Sequence, residues 1–144
     1  METSKNYWDF VDEIIVTPVT ILKEQADFLT KTTKGILVGE IVFEKKIIEE
    51  GYPKLYTNKF QPNVVFNISS PILGYTYQLM SVLYDVKENY PIQINFDNGI
   101  YEAKDEESFK KFIQECIQSD TTKKIIQNLY SQSKVFENNN QPKD

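Results

Sequence analysis

The chain of 144 residues is the length of one ordinary domain, and its 16 basic and 21 acidic residues give a net charge of −5. Every basic residue is a lysine, arginine and histidine are absent, and Cys116 is the single cysteine. This composition excludes Ser-His and Cys-His nucleophile pairs, an arginine fork for phosphate, and cysteine-rich zinc sites or disulfides within the chain.

The charge balance and the lack of long apolar runs also limit the partners and the location of the protein. Nucleic acids and anionic membranes attract clustered positive charge, whereas the lysine doublets here are short, separated and interleaved with glutamate. No apolar run approaches the about 20 residues of a membrane span, and the first residues lack the apolar core of a signal peptide. We therefore expect a cytoplasmic protein that binds neither nucleic acid nor membranes.

Two helices are predicted at the start of the chain. Residues 5–16 place Trp8 and two aliphatic residues on one helical face, which predicts a short helix. Thr17 and Pro18 then form a typical helix start, because a capping hydroxyl precedes a proline at the first helical position. Apolar residues recur at helical spacing until a Lys-Gly pair, so we predict a helix over residues 18–33.

Runs rich in β-branched and aromatic residues predict the strands that follow. Gly39 is a candidate bulge, and residues 54–57 are a candidate short edge strand between turn signals. Asp97-Asn98-Gly99 predicts a hairpin, because Asn and Gly tolerate positive φ. The strands are predicted over residues 36–44, 64–69, 92–96 and 100–103.

The run from Tyr75 to Val86 fits either a strand or a helix, and its β-branched and aromatic content favours the strand. As a strand it would place on one face Tyr75, Tyr77, Leu79, Ser81 and Leu83. The opposite face begins polar at Thr76 and becomes apolar toward Val86. This change predicts that the strand passes from one environment to another.

Two helices are predicted after the strands. Asp105 can cap the first, whose apolar stripe includes Phe109, Ile113 and Cys116. A thiol late in a helix and on its apolar side is expected to be buried and inert. Ser119-Asp120 begins the last helix.

The predicted fold class is α+β, with an N-terminal helix, an antiparallel sheet of four to five strands, and two C-terminal helices packed on one face. Residues 1–136 would form this single domain, and the polar residues 137–144 a disordered tail. The other face of the sheet would then be solvated, sparse in apolar groups, or covered by a partner.

The sequence predicts no catalytic, cofactor-binding or metal-binding residue. Asp97-Asn98-Gly99 and Glu102 offer oxygen ligands, but they lack the full pattern of a calcium loop, and a hairpin accounts for them. Adjacent carboxylates on the predicted helices point apart, so they do not form a glycosidase pair.

Tyrosines on and near the middle strands are the candidate interaction surface, because tyrosine offers a large rigid area and a hydroxyl. Half-buried strands also favour tyrosine, so a purely structural role is the alternative. The candidate residues are Tyr75, Tyr77, Tyr84, Tyr90 and Tyr101.

Two resemblances add to this picture. The stretch from Pro18 through Gly35 to Gly39 resembles the opening of small uncharacterised bacterial proteins, and it implies no function. The order of elements, with Tyr90-Pro91 after the 75–86 strand, is similar to RWD and ubiquitin-conjugating-enzyme-like domains. The further prolines of those domains are missing and Cys116 lies on a helix, so the resemblance does not imply conjugating activity.

We therefore expect a non-enzymatic module that binds another protein and needs no cofactor. Its most specific form is an immunity- or antitoxin-like inhibitor, or an accessory subunit, in a bacterial system. One alternative is a small-molecule-binding protein or an enzyme that uses Tyr, Lys and carboxylate groups, which a deep pocket lined by Tyr77 or Tyr84 with a buried Lys or Glu would favour. Another is a homo-oligomer whose sheet face is covered by its own copy.

Overall fold

The computed structural model describes residues 4–47 and 60–139, and it confirms the predicted α+β class with a five-stranded antiparallel sheet. The candidate strand at residues 54–57 lies outside the described residues. The elements in chain order are α1 (Pro18–Thr32), β1 (Val38–Ile47), β2 (Phe60–Ser70), β3 (Tyr75–Leu83), β4 (Ile92–Phe96), β5 (Gly99–Ala103), α2 (Glu106–Gln118) and α3 (Asp120–Asn139).

Local signals place the ends of the helices close to where the sequence predicts them. The Thr17 hydroxyl accepts from the backbone N–H of Thr20 at the start of α1, and Asp105 accepts from that of Ser108 at the start of α2. The Ser119 hydroxyl accepts from the backbone N–H of Thr122 at the start of α3. The last helix ends at Asn139, so residues 137–139 of the predicted tail are helical and residues 140–144 lie outside the described part.

The predicted helix over residues 5–16 is wrong. Residues 7–12 form turns, with two short-range bonds from the N–H of Val11 to the carbonyl of Trp8 and from the N–H of Glu13 to the carbonyl of Phe10. A helical apolar face stabilises a helix only when it packs on something, and the side chains of this segment are exposed.

The sheet is a meander in the order β1-β2-β3-β4-β5, with every neighbouring pair antiparallel. The predicted bulge at Gly39 is absent, because β1 and β2 pair in unbroken register from Val38 to Ile47. Gly39 instead lies directly under α1. A Cβ there would stand 2.5 Å from the carbonyl oxygen of Ala26, so only glycine lets the helix approach the strand this closely.

A bulge lies in β3 and changes which side chains share a face. Phe66 pairs with Met80, but the next residue, Asn67, pairs with Gln78, so Leu79 is an extra residue on β3. Both Leu79 and Met80 are therefore buried although they are consecutive. The strand prediction for this run is confirmed from Tyr75 to Leu83 but not for residues 84–86, and the bulge explains why its polar and apolar faces change along its length.

The three helices cover one face of the sheet. The helix α1 packs on β1 and β2, α2 on β5, and α3 on β2. A hydrogen bond of 2.6 Å joins the buried hydroxyls of Ser70 and Ser133, and it fixes α3 against the end of β2. The core between the layers includes Leu22, Phe66, Val82, Ile94 and Phe109.

No described helix packs on the opposite face of the sheet, and this face is rich in amide side chains. Register places the side chains of Asn63, Asn67, Gln78, Gln93 and Asn95 there. These five side chains are exposed or half-buried, whereas Val65 and Ser81 on the same face are buried. None of the helices in the described part is long and apolar enough to cross a membrane.

Candidate functional site

The first half of β3 has a described neighbouring strand on one side only. The pairing of β3 with β4 extends only from Met80 to Leu83, because β4 ends at Phe96 and the chain turns at Asp97 and Asn98. Residues 75–78 thus pair with β2 on one side, Leu79 is the bulged residue, and no described strand pairs with residues 75–79 on the other side. A strand edge without a partner presents N–H and C=O groups to solvent.

A cleft of about 510 Å³ lies beside this edge, between β3 and the β4–β5 hairpin. Its wall on the β3 side includes Tyr77 and Gln78, and its wall on the hairpin side includes Phe96, Asp97 and Ile100. The hairpin has the predicted two-residue turn, with φ of 49° at Asp97 and 65° at Asn98. We call this feature the β3 cleft.

Tyr77 lines the β3 cleft, and Tyr75 lies two residues before it on the same strand. Register places them on the helix-covered face of the sheet, opposite Ser70 and Ile68 of β2. This corrects the sequence interpretation that they share a face with Leu83, because the bulge shifts the alternation by one residue. Tyr75 is 49% exposed, whereas Tyr77 is partly buried against the core.

Burial raises the pKa of the Tyr77 hydroxyl, and the negative charge of Asp97 and the neighbouring Tyr75 raise it further. The hydroxyl therefore keeps its proton at neutral pH and can donate a hydrogen bond into the cleft. Asp97 at the hairpin tip is close enough for its charge to act on the Tyr77 hydroxyl, so the tip of the hairpin approaches β3 at this residue.

Tyr101 extends the aromatic surface from the hairpin to α2. Its ring centroid lies 5.0 Å from that of Phe112, and Phe112 packs edge-on against Phe96 at 6.4 Å. The Tyr101 ring lies over Gly99, where a Cβ would stand 2.7 Å from the hydroxyl oxygen. With 44% of its surface exposed, Tyr101 offers an aromatic face beside the cleft.

The two other candidate tyrosines contribute to packing. Tyr84 is 7% exposed, and burial raises its pKa. Tyr90 packs edge-on against Phe109 at 6.4 Å, and its hydroxyl is buried without a hydrogen-bond partner among the described residues. Burial, followed by the charges of Glu106 and Asp105, raises the pKa of Tyr90. The predicted interaction surface therefore depends on Tyr75, Tyr77 and Tyr101.

The thiol of the single cysteine, Cys116, is buried and is not expected to react. Cys116 is buried in the core, and burial, with a smaller effect of Glu115, raises its pKa to about 12. A thiol in this state is a poor nucleophile at neutral pH.

The titratable side chains in the described lining of the β3 cleft are Tyr77 and Asp97. Its described lining contains neither Lys nor Glu, and its one carboxylate, Asp97, is exposed. Within residues 4–47 and 60–139, no three Asp, Glu, His or Cys side chains converge to hold a metal ion.

The incomplete pairing of β3 is the part of the site that sequence analysis missed. The strand lengths carried a signal, since a predicted strand over 75–86 cannot be paired along its whole length by one over 92–96.

Comparison with known proteins adds no relative: no family model, no curated protein and no solved structure matches the chain.

Proposed function

We propose that this protein is a non-enzymatic module that binds another protein, and that an extended segment of the partner adds to the free edge of β3. The observation that carries the proposal is the edge at residues 75–79, which no described strand pairs and which bears the exposed Tyr75. Strand addition uses such an edge because its backbone groups supply affinity and flanking side chains supply specificity.

The geometry defines the chemistry of the segment. Five edge residues accommodate a strand of about 17 Å. Alternate side chains of the segment would contact Tyr75 and Tyr77 on one face and Thr76 and Gln78 on the other, in line with the strand period. Asp97 at the hairpin tip and the net charge of −5 favour a partner with basic residues.

The test is quantitative affinity capture with the tagged full-length chain at its natural abundance in the source cells. We expect one partner at near-equal stoichiometry by mass spectrometry. Substitutions Tyr75→Ala and Tyr101→Ala should each weaken the complex about tenfold or more, because exposed aromatic anchors dominate binding energy at interfaces.

Phe43→Ala is the matched control. Phe43 is also an exposed aromatic residue, but it lies on β1, two strands away from β3. The proposal is supported if Phe43→Ala binds the partner as the wild type does while Tyr75→Ala and Tyr101→Ala bind it more weakly. Recovery of the wild-type chain only as a free monomer, or equal capture by all variants, would contradict it.

The finer form of the proposal is an immunity- or antitoxin-like inhibitor, or an accessory subunit of a bacterial system. Small size, acidity and the strand edge support it, since an acidic surface is complementary to a basic partner. A captured partner whose own activity falls in proportion to the bound fraction would identify an inhibitor. Unchanged activity would leave the accessory subunit as the form to be pursued.

A further inference from the structure

The segment before α1 exposes more apolar surface than any other described stretch of the chain. Its seven large apolar side chains, Tyr7, Trp8, Phe10, Val11, Ile14, Ile15 and Val16, are between 46% and 94% exposed. Within the segment there are two turn bonds, a hydrogen bond from the N–H of Trp8 to the side chain of Asn6, and a contact of 6.2 Å between the rings of Trp8 and Phe10. Exposed apolar surface of this extent marks a binding site.

An apolar furrow runs along α1 on the side facing α2 and α3. It consists of two adjoining clefts of about 480 and 440 Å³, which share Gln25, Ile117 and Gln118. The second cleft has Phe28 and Ile126 on its walls and reaches the sheet core at its floor. We call the two clefts together the α1 furrow.

The size and the charge of the segment match the furrow. Residues 5–16 would span about 18 Å as a helix, and the fifteen residues of α1 span about 22 Å. Residues 4–16 carry Asp9, Asp12 and Glu13 against one lysine, a net charge of −2. The furrow lining carries Lys110 and Lys123 against one glutamate, a net charge of +1, although Lys110 also pairs with Glu106 at 2.9 Å.

The helical pattern of the segment has a use in such a site. Trp8, Val11 and Ile15 share one face of a helix, with the acidic residues between them. An amphipathic helix binds a hydrophobic groove through anchors at this spacing, and the groove supplies the packing that the isolated segment lacks.

The path of the chain favours the furrow of another copy. Val16, the last residue of the segment, lines the first cleft of its own chain, but residues 7–15 remain exposed, and Thr17 is extended, with φ −115° and ψ 169°. To lie in its own furrow it would have to reverse direction within one or two residues. A segment from a second copy enters without that reversal, and reciprocal exchange closes a two-fold dimer.

We propose that residues 4–15 from one copy bind in the α1 furrow of a second copy, as an amphipathic helix, in a symmetric dimer. This interface is separate from the β3 cleft, so a result that excludes the dimer would leave the proposed strand addition at β3 untouched, and the reverse also holds.

The test is the oligomeric state of the full-length chain, measured by sedimentation velocity over a range of concentrations. We expect a concentration-dependent dimer. Trp8→Ala removes an anchor of the segment and Phe28→Ala removes a wall of the furrow, and each should raise the dimer dissociation constant about tenfold or more. Both side chains are largely exposed in the monomer, so neither substitution should unfold the protein.

A mixture of the two variants provides the sharper measurement. A heterodimer of Trp8→Ala and Phe28→Ala retains one intact pair of segment and furrow, so the mixture should associate more strongly than either variant alone. Phe43→Ala is the control that should leave the dimer unchanged. A wild-type monomer at every concentration, a dimer insensitive to Trp8→Ala, or a mixture no stronger than its components would overturn the proposal.

Discussion

Asp105 is a residue whose ionisation is coupled to folding. The backbone N–H of Ser108 donates to its carboxylate at 2.8 Å, and this bond, with the Ser108 hydroxyl, lowers the pKa of Asp105 from its ordinary 3.8. A lowered pKa in the folded state means that the contribution to stability is complete above the unfolded pKa and is lost as pH falls through the folded value.

Asp105→Asn isolates this effect, because asparagine caps a helix without titrating. We expect the free energy of unfolding of the wild type to fall more steeply than that of the variant as pH decreases below about 4. Urea unfolding at a series of pH values measures the difference. Parallel pH profiles for the two proteins would show that this carboxylate does not couple to folding.

Cys116 should be unreactive in the folded protein. Its thiol is buried and has a pKa of about 12, so almost no thiolate is present at neutral pH. We expect negligible labelling by a disulfide reagent at pH 8 and complete labelling of the one thiol after unfolding in urea. Rapid labelling of the folded protein would contradict the assigned burial.

At the scale of elements, the contact of α1 with β1 depends on a single missing side chain. Gly39→Ala places a methyl group 2.5 Å from the backbone of Ala26, so the helix must shift. We expect a loss of about 1–3 kcal/mol in the free energy of unfolding, as for overpacking in other cores.

Gly74→Asn is the control for this substitution. Gly74 has φ of 63°, a value that asparagine tolerates, and nothing lies within 4 Å of a Cβ there. Its free energy of unfolding should change by less than about 0.5 kcal/mol. A Gly39→Ala variant as stable as this control would show that the helix and the strand are packed less closely than the structure indicates.

Elements with local causes were predictable from sequence, and those that depend on tertiary contacts were not. Pro18 and Asp105 mark helix starts through capping chemistry, and Asn98 marks the hairpin through its tolerance of positive φ. Trp8 lies in a helical pattern that finds no surface to pack on, so the predicted helix does not form in the monomer. Leu79 is extra in β3, and a period of two cannot reveal a bulge.

At the scale of the whole molecule, the order of elements predicted the fold class but not the surface that the fold presents. Tyr75 and Tyr84 lie at the two ends of one apolar run, yet the first is exposed beside the cleft and the second is in the core. The unequal lengths of the predicted strands indicated that part of β3 would lack a partner, but only the register shows that this part is its first half.

Hydrogen–deuterium exchange tests most directly whether the edge of β3 at residues 75–79 is free and receives a partner strand. In the free protein, amides of residues 75–79 that point into the cleft should exchange faster than those paired with β4 at residues 80–83. In the complex with the captured partner, the same amides should become protected, because a partner strand then accepts their hydrogen bonds. Protection confined to other regions, with residues 75–79 unchanged, would contradict strand addition at the β3 cleft.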